Sequence, residues 1–253
     1  MKILRTLSRP AALLALCITF CIAATSARAD DFGTWASVQA VKSIGSGGYA
    51  MARFEHRSYR KMSATECYFA MAGGGGRICN WLSGDLSYEF WKVPSAGDIT
   101  VHKGVASLTG TLRRDALAVS LREKYELAFY PGGGSSGSGG SGGGGSSESG
   151  GGSCTSTLRS RVRVQYKIDA VSLTPYVMYE YFNGFGGGSS GSGSGTSSGA
   201  SSLWIRSLHY AGTEVRLGPH STLDFFYMYH LYAQSGGSPA GCHLLGVGYI
   251  LSL

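Results

Sequence analysis

The chain has 253 residues, of which 40 are glycine and 15 tyrosine, and only 15% are charged. Its formal charge of +7 comes from basic residues spread singly along the chain, which excludes the clustered basic face of a nucleic-acid-binding protein. No phosphate loop, dinucleotide fingerprint or metal-ligand spacing occurs, so no cofactor and no metal are expected.

The first residues read as a removable export signal over 1–29. Lys2 and Arg5 form a positive start, Ala11 to Ala24 an apolar run, and Ala27-Arg28-Ala29 a small-x-small cleavage pattern. The run is too short to span a bilayer, and bulky Leu16 before Cys17 argues against lipid anchoring. Residues 30–253 then form one domain. Four cysteines remain in it, Cys67, Cys79, Cys154 and Cys242, and their three alternative pairings stay open.

Eleven segments alternate apolar and polar residues with period two: 33–44, 49–60, 64–78, 80–92, 98–112, 115–130, 155–168, 171–183, 203–217, 221–234 and 242–253. In Ala116–Tyr130, Leu117, Val119, Leu121, Tyr125, Leu127 and Phe129 oppose Ala118, Ser120, Arg122, Lys124, Glu126 and Ala128, with Glu123 the one violation. Gly73 to Gly76 read as strand, placed where a wall bends or a bulky side chain crosses. Gly/Ser tracts at 132–153 and 186–202 read as flexible loops.

A two-faced strand fits either a soluble barrel or its inverse in a membrane. Three features select the membrane. The strands are longer than the common ~5–6 residues. Short turns alternate with long loops. Aromatics crowd segment ends (Tyr88, Phe90 and Trp91; Phe129 and Tyr130; Tyr179, Tyr181 and Phe182), as interfacial girdles do. The expected fold is an all-β, antiparallel up-and-down transmembrane β-barrel of 10–12 strands, an even number being the rule for bacterial barrels. The terminal alternation Gly246-Val247-Gly248-Tyr249-Ile250-Leu251-Ser252-Leu253 is that of a closing strand read by the barrel-assembly machinery. The expected location is the bacterial outer membrane, with outer-membrane lipid as the surrounding partner.

Several short motifs, in this order, carry a resemblance. They are Asp31-Phe32-Gly33-Thr34-Trp35, Phe54-Glu55-His56-Arg57-Ser58-Tyr59, Leu121-Arg122-Glu123-Lys124-Tyr125-Glu126, Leu158-Arg159-Ser160-Arg161, Tyr176-Val177-Met178-Tyr179-Glu180-Tyr181-Phe182 and Tyr210-Ala211-Gly212-Thr213-Glu214. Together they resemble the bacterial outer-membrane proteins grouped as domain of unknown function 2490, over the whole mature chain except the Gly/Ser tracts. The resemblance implies an outer-membrane β-barrel and transfers no catalytic residue.

The candidate site is a set of charges expected to face the lumen. Arg53, Glu55 and Arg57 share one face, as do Asp85 and Glu89, then Arg122, Lys124 and Glu126. Arg159, Arg161 and Arg163 follow, then Glu180, and finally Arg206, Glu214 and Arg216. Interleaved Arg and Glu either pair across strands and fill the barrel or form an Arg-rich passage for small anionic solutes. An enzyme reading has Ser207 with His209, expected to face lipid, Ser221 with His220 in a tight turn, and Glu55 with Glu180 as an acid/base pair whose separation the sequence does not fix. No catalytic residue is therefore assigned. Two readings remain: a narrow, anion-preferring channel, or a structural or surface-interaction barrel plugged by its own side chains.

Overall fold

Each of the eleven alternating segments forms a strand in the computed structural model, which describes residues 31–59, 61–131, 153–185, 203–232 and 240–253. The expected export signal and most of the two Gly/Ser tracts lie outside these residues. The strands are β1 (Asp31–Ile44), β2 (Gly48–Tyr59), β3 (Ala64–Arg77), β4 (Leu82–Val93), β5 (Ile99–Arg114) and β6 (Leu117–Tyr130). They continue with β7 (Ser153–Tyr166), β8 (Leu173–Phe185), β9 (Leu203–Arg216), β10 (Ser221–Tyr232) and β11 (Ala240–Ser252). Every strand hydrogen-bonds its sequence neighbour in antiparallel register, and β1 pairs with β11 to close the barrel.

The even strand number expected from sequence is corrected here. Eleven strands close among the described residues, and the closing pair is parallel, running from Asp31↔Cys242 to Val41↔Ser252. With an odd count, the first and last strands must point the same way. The parallel ladder still satisfies both edges, which is what closure has to achieve where no water reaches the backbone.

All connections of one rim are short: 45–47, 78–81, 115–116, 167–172 and 217–220. Gly45 turns the first of these with φ +60, a left-handed conformation that costs glycine nothing. The opposite rim carries 60–63, 94–98, 131–152, 186–202 and 233–239. Asp31 therefore lies at the long-loop rim and Leu253 at the short-turn rim.

The alternation resolves with apolar residues outside. Val38, Phe54, Leu86, Leu108, Leu121, Leu127, Val162, Phe225 and Leu245 are all exposed on the outer wall. Glu55, Glu89, Glu126, Glu180 and Lys124 are buried within. That is the inverse of a water-soluble barrel and matches hydrocarbon as the outer solvent. Tyr88, Phe90, Phe129 and Tyr179 join this outer wall. Trp91, Tyr130 and Phe182 do not: all three point into the lumen, Phe182 being 1% exposed, so they are not girdle residues.

The lumen is also less polar than the charge pattern suggests. One cluster packs Trp35, Tyr176, Phe182, Leu208, Tyr210, Phe226, Met228 and Leu244 across β1 and β8–β11. A second packs Cys67, Phe69, Trp91, Val101 and Ala128 towards the long-loop rim. Glycines make room for these rings: a Cβ on Gly246 would lie 2.0 Å from the Phe226 ring, and one on Gly212 2.7 Å from Tyr176. Gly73 and Gly75 serve the wall itself, since a Cβ there would meet β4 at 2.5 Å and 2.3 Å. The four cysteines are all free thiols, Cys67 and Cys242 buried and Cys154 exposed.

Glu123 keeps its violation in the structure. It lies on the outward face, halfway along β6, and accepts a 2.7 Å hydrogen bond from Ser160 Oγ. A carboxyl on a lipid-facing wall is costly and one hydrogen bond offsets only part of that. Glu123→Leu is expected to stabilise the barrel by about 1–2 kcal/mol. Urea unfolding in lipid vesicles measures this, and a lower midpoint for the variant would contradict it.

Candidate functional site: the charged lumen

The site begins as cross-strand pairs dictated by register. Lys124 faces Ser107 on β5 and Arg159 on β7, while Arg161 faces Arg122 on β6 and Glu180 on β8. Long side chains from neighbouring strands therefore meet in layers, and three carboxylates act as hubs.

Glu55, 2% exposed, is held on both oxygens: Arg53 Nη2 reaches Oε2 at 2.6 Å and Arg57 Nη2 reaches Oε1 at 2.6 Å. Glu126 sits among Lys103 at 3.1 Å, Lys124 at 3.2 Å and Arg159 at 2.5 Å. Glu89 accepts from Lys124 Nζ at 2.7 Å and from Trp91 Nε1 at 3.0 Å. Arg159 links the Glu126 hub to a further carboxylate, its Nη1 on Glu126 and its Nη2 on Glu180 at 3.0 Å. Further towards the short-turn rim, Arg163 meets Glu214 at 2.6 Å, and Asp85 takes Ser107 Oγ at 2.6 Å with Arg122 at 3.7 Å. Ion pairs taken out of water hold best when the remaining lone pairs and protons are also satisfied. The carboxylates here are multiply bonded, while Arg53 Nε and Arg159 Nε are buried without a hydrogen-bond partner.

The network thus gathers Arg53, Glu55, Arg57, Asp85, Glu89, Arg122, Lys124, Glu126, Arg159, Arg163, Glu180 and Glu214. Three of the expected members stand apart. Arg216 lies on the expected face but at the short-turn rim, exposed. Arg206 stacks its guanidinium on the Phe182 ring at 4.0 Å. Arg161 lines the cavity but makes none of the ion pairs found among the described residues.

Other members were passed over in the sequence. Lys103 shares the parity of Val101 and Val105, so its inward direction was legible there. Asp224 accepts the Tyr176 hydroxyl at 2.9 Å, a pairing 48 residues apart that no local pattern signals. Glu66 lines the lumen because β2 and β3 slip register at Arg57/Ser58. That bulge places Glu66 as the extra residue of β3, between Thr65 and Cys67 in the register, and turns it inward, against strict alternation.

Arg57 sits between two tryptophan rings in the lumen. Its guanidinium lies 3.6 Å above the Trp35 ring and 4.9 Å from the Trp91 ring while its Nε and Nη2 bind Glu55. It borders every one of three spaces in the lumen. One of about 400 Å³ faces the short-turn rim, one of about 260 Å³ faces the long-loop rim, and a remnant of about 20 Å³ lies between them. Trp35, Arg57, Arg159, Phe182 and Arg206 line that remnant.

The Ser207 and His209 pair faces outward as expected, with Oγ and Nε2 3.4 Å apart and the imidazole between Tyr179 and Tyr229. His220 Nδ1 is spent on the Ser252 backbone carbonyl at 2.8 Å, and Ser221 Oγ bonds the Tyr249 hydroxyl at 2.9 Å.

Comparison with curated proteins gives no match. Among solved structures, the NanC porin is 11% identical with a TM-score of 0.43, the alignment covering 78% of this chain and 86% of that one. The β-domain of the Bordetella autotransporter Brka is 12% identical with a TM-score of 0.43, covering 86% of this chain and 96% of that one. The family model described as protein of unknown function DUF2490 matches residues 32–239, as the motif resemblance implied. On that match, which spans most of the barrel, the chain belongs to the DUF2490 family.

Proposed function

We propose that this protein is an outer-membrane barrel whose lumen is closed at rest by its own side chains, and which presents its long-loop rim to partners at the cell surface. The observation that carries this reading is the layer around Arg57, Trp35 and Trp91, braced by Arg159 and Phe182, which separates the two larger spaces. The apolar outer wall supports the bilayer setting. The buried ion pairs support a fixed plug, because leaving a buried carboxylate such as Glu180 without its partner strands a charge.

A second reading, a narrow anion-preferring channel, is favoured by one observation. The space facing the short-turn rim is lined by seven cationic side chains against six carboxylates. Planar-bilayer recording of the purified protein separates the two. The closed barrel is expected to show no discrete current steps at neutral pH, and regular steps with anion selectivity would establish the channel instead.

A further inference from the structure

We infer that the lumen space facing the short-turn rim is a binding site for a small oxyanion, such as phosphate or a carboxylate, with Arg161 as its principal ligand. Three arginines carry the inference. Arg122 on β6 and Arg161 on β7 are direct cross-strand partners on the inward face, and Arg163 follows Arg161 on that face. Like charges directly opposite one another destabilise a sheet, so this juxtaposition needs a counter-charge.

Glu180 faces Arg161 across the sheet, but no neighbouring carboxylate makes an ion pair with it among the described residues. Glu180, its partner in register on β8, is engaged by Arg159 at 3.0 Å. Glu214 is engaged by Arg163 at 2.6 Å, and Asp224 accepts the Tyr176 hydroxyl. Asp85 stands 3.7 Å from Arg122 and takes its close hydrogen bond from Ser107. Arg161 is left with a full set of guanidinium donors and no ion pair among the described residues.

Its neighbours also hold donors in reserve. Arg122 Nε and Arg163 Nε are buried without a hydrogen-bond partner. Guanidinium forks match the paired oxygens of phosphate and carboxylate, and such charge-assisted bonds are the strong ones. About 400 Å³ leaves room for a small anion beside them. Chloride lacks the paired oxygens that would use both arms of a fork, so an oxyanion is preferred. The space lies on the short-turn side of the Arg57 layer, so the site stands whether or not the lumen conducts.

Isothermal titration calorimetry of the full barrel in detergent micelles, at constant chloride, tests this with inorganic phosphate and separately with succinate. At least one is expected to give saturable one-to-one binding, and the stronger of the two identifies the oxyanion class. Arg161→Gln is expected to weaken that binding by about tenfold or more, while Arg216→Gln at the exposed rim leaves it unchanged. The same anion is expected to raise the thermal unfolding midpoint of the wild type and not of Arg161→Gln, a readout that also shows the variant is folded. Absence of saturable binding to the wild type by either anion would overturn the inference. So would equal weakening by the two variants, which would mark a response to bulk charge.

Discussion

Arg159→Leu is expected to destabilise the folded barrel by about 3–5 kcal/mol, the largest effect of any single lumen substitution. Arg159 serves two buried carboxylates, Glu126 at 2.5 Å and Glu180 at 3.0 Å, and stacks on Phe182 at 4.4 Å. Without it, Glu126 keeps Lys103 and Lys124, but Glu180 loses its one ion pair among the described residues. The cost is therefore that of a stranded charge rather than of a lost attraction. Combining Arg159→Leu with Glu180→Leu is expected to recover a good part of the loss, because the two changes share one interaction and do not add. Urea unfolding in lipid vesicles followed by tryptophan fluorescence measures both. A loss below about 1 kcal/mol for the single variant would show that the pair is solvated as a surface pair is.

The second large effect concerns conductance. Arg57→Ala combined with Phe182→Ala is expected to turn a silent barrel into one with discrete current steps. Arg57 fills the gap between the Trp35 and Trp91 rings and borders all three lumen spaces, and Phe182 closes the remnant beside it. Removing both joins the spaces on either side. Glu55 retains Arg53 at 2.6 Å, so this substitution does not strand a carboxylate as Arg159→Leu does. The variant must still show heat-modifiable migration on a gel, as a closed barrel does. A folded variant that remains silent would place the closure in another layer.

Much of the wall was legible in the residues alone. Period-two alternation is a local property, because successive side chains of a strand point to opposite faces whatever the strand pairs with. That is why all eleven segments, and the shared inward face of sets such as Arg159, Arg161 and Arg163, could be read before any pairing was known. The Glu123 violation was visible for the same reason.

Where pairing enters, local reading ends. The parity of Trp91 and Phe182 was available, yet their place at segment ends suggested a girdle; only the closed sheet shows them beneath Arg57 and Arg159. A bulge between β2 and β3 reverses the expected direction of Glu66. The apolar cluster across β1 and β8–β11 depends on which strands close the ring, and so does the parallel pairing of β1 with β11. Above all, the choice between a braced and an open lumen turns on which carboxylate each arginine reaches.

The sequence by itself determined a two-faced, strand-built chain with Arg and Glu interleaved on one face. Hydrophobic periodicity and covalent strand geometry are enough for that. Only the tertiary structure decided the rest. It set an eleven-stranded, parallel-closed barrel among the described residues, with Arg57 clamped between two tryptophans, Arg216 left at the rim, and Arg161 beside Arg122 with no ion pair to another described residue. Those outcomes rest on contacts between residues far apart in the chain, set by register and by bulges, which no local pattern encodes.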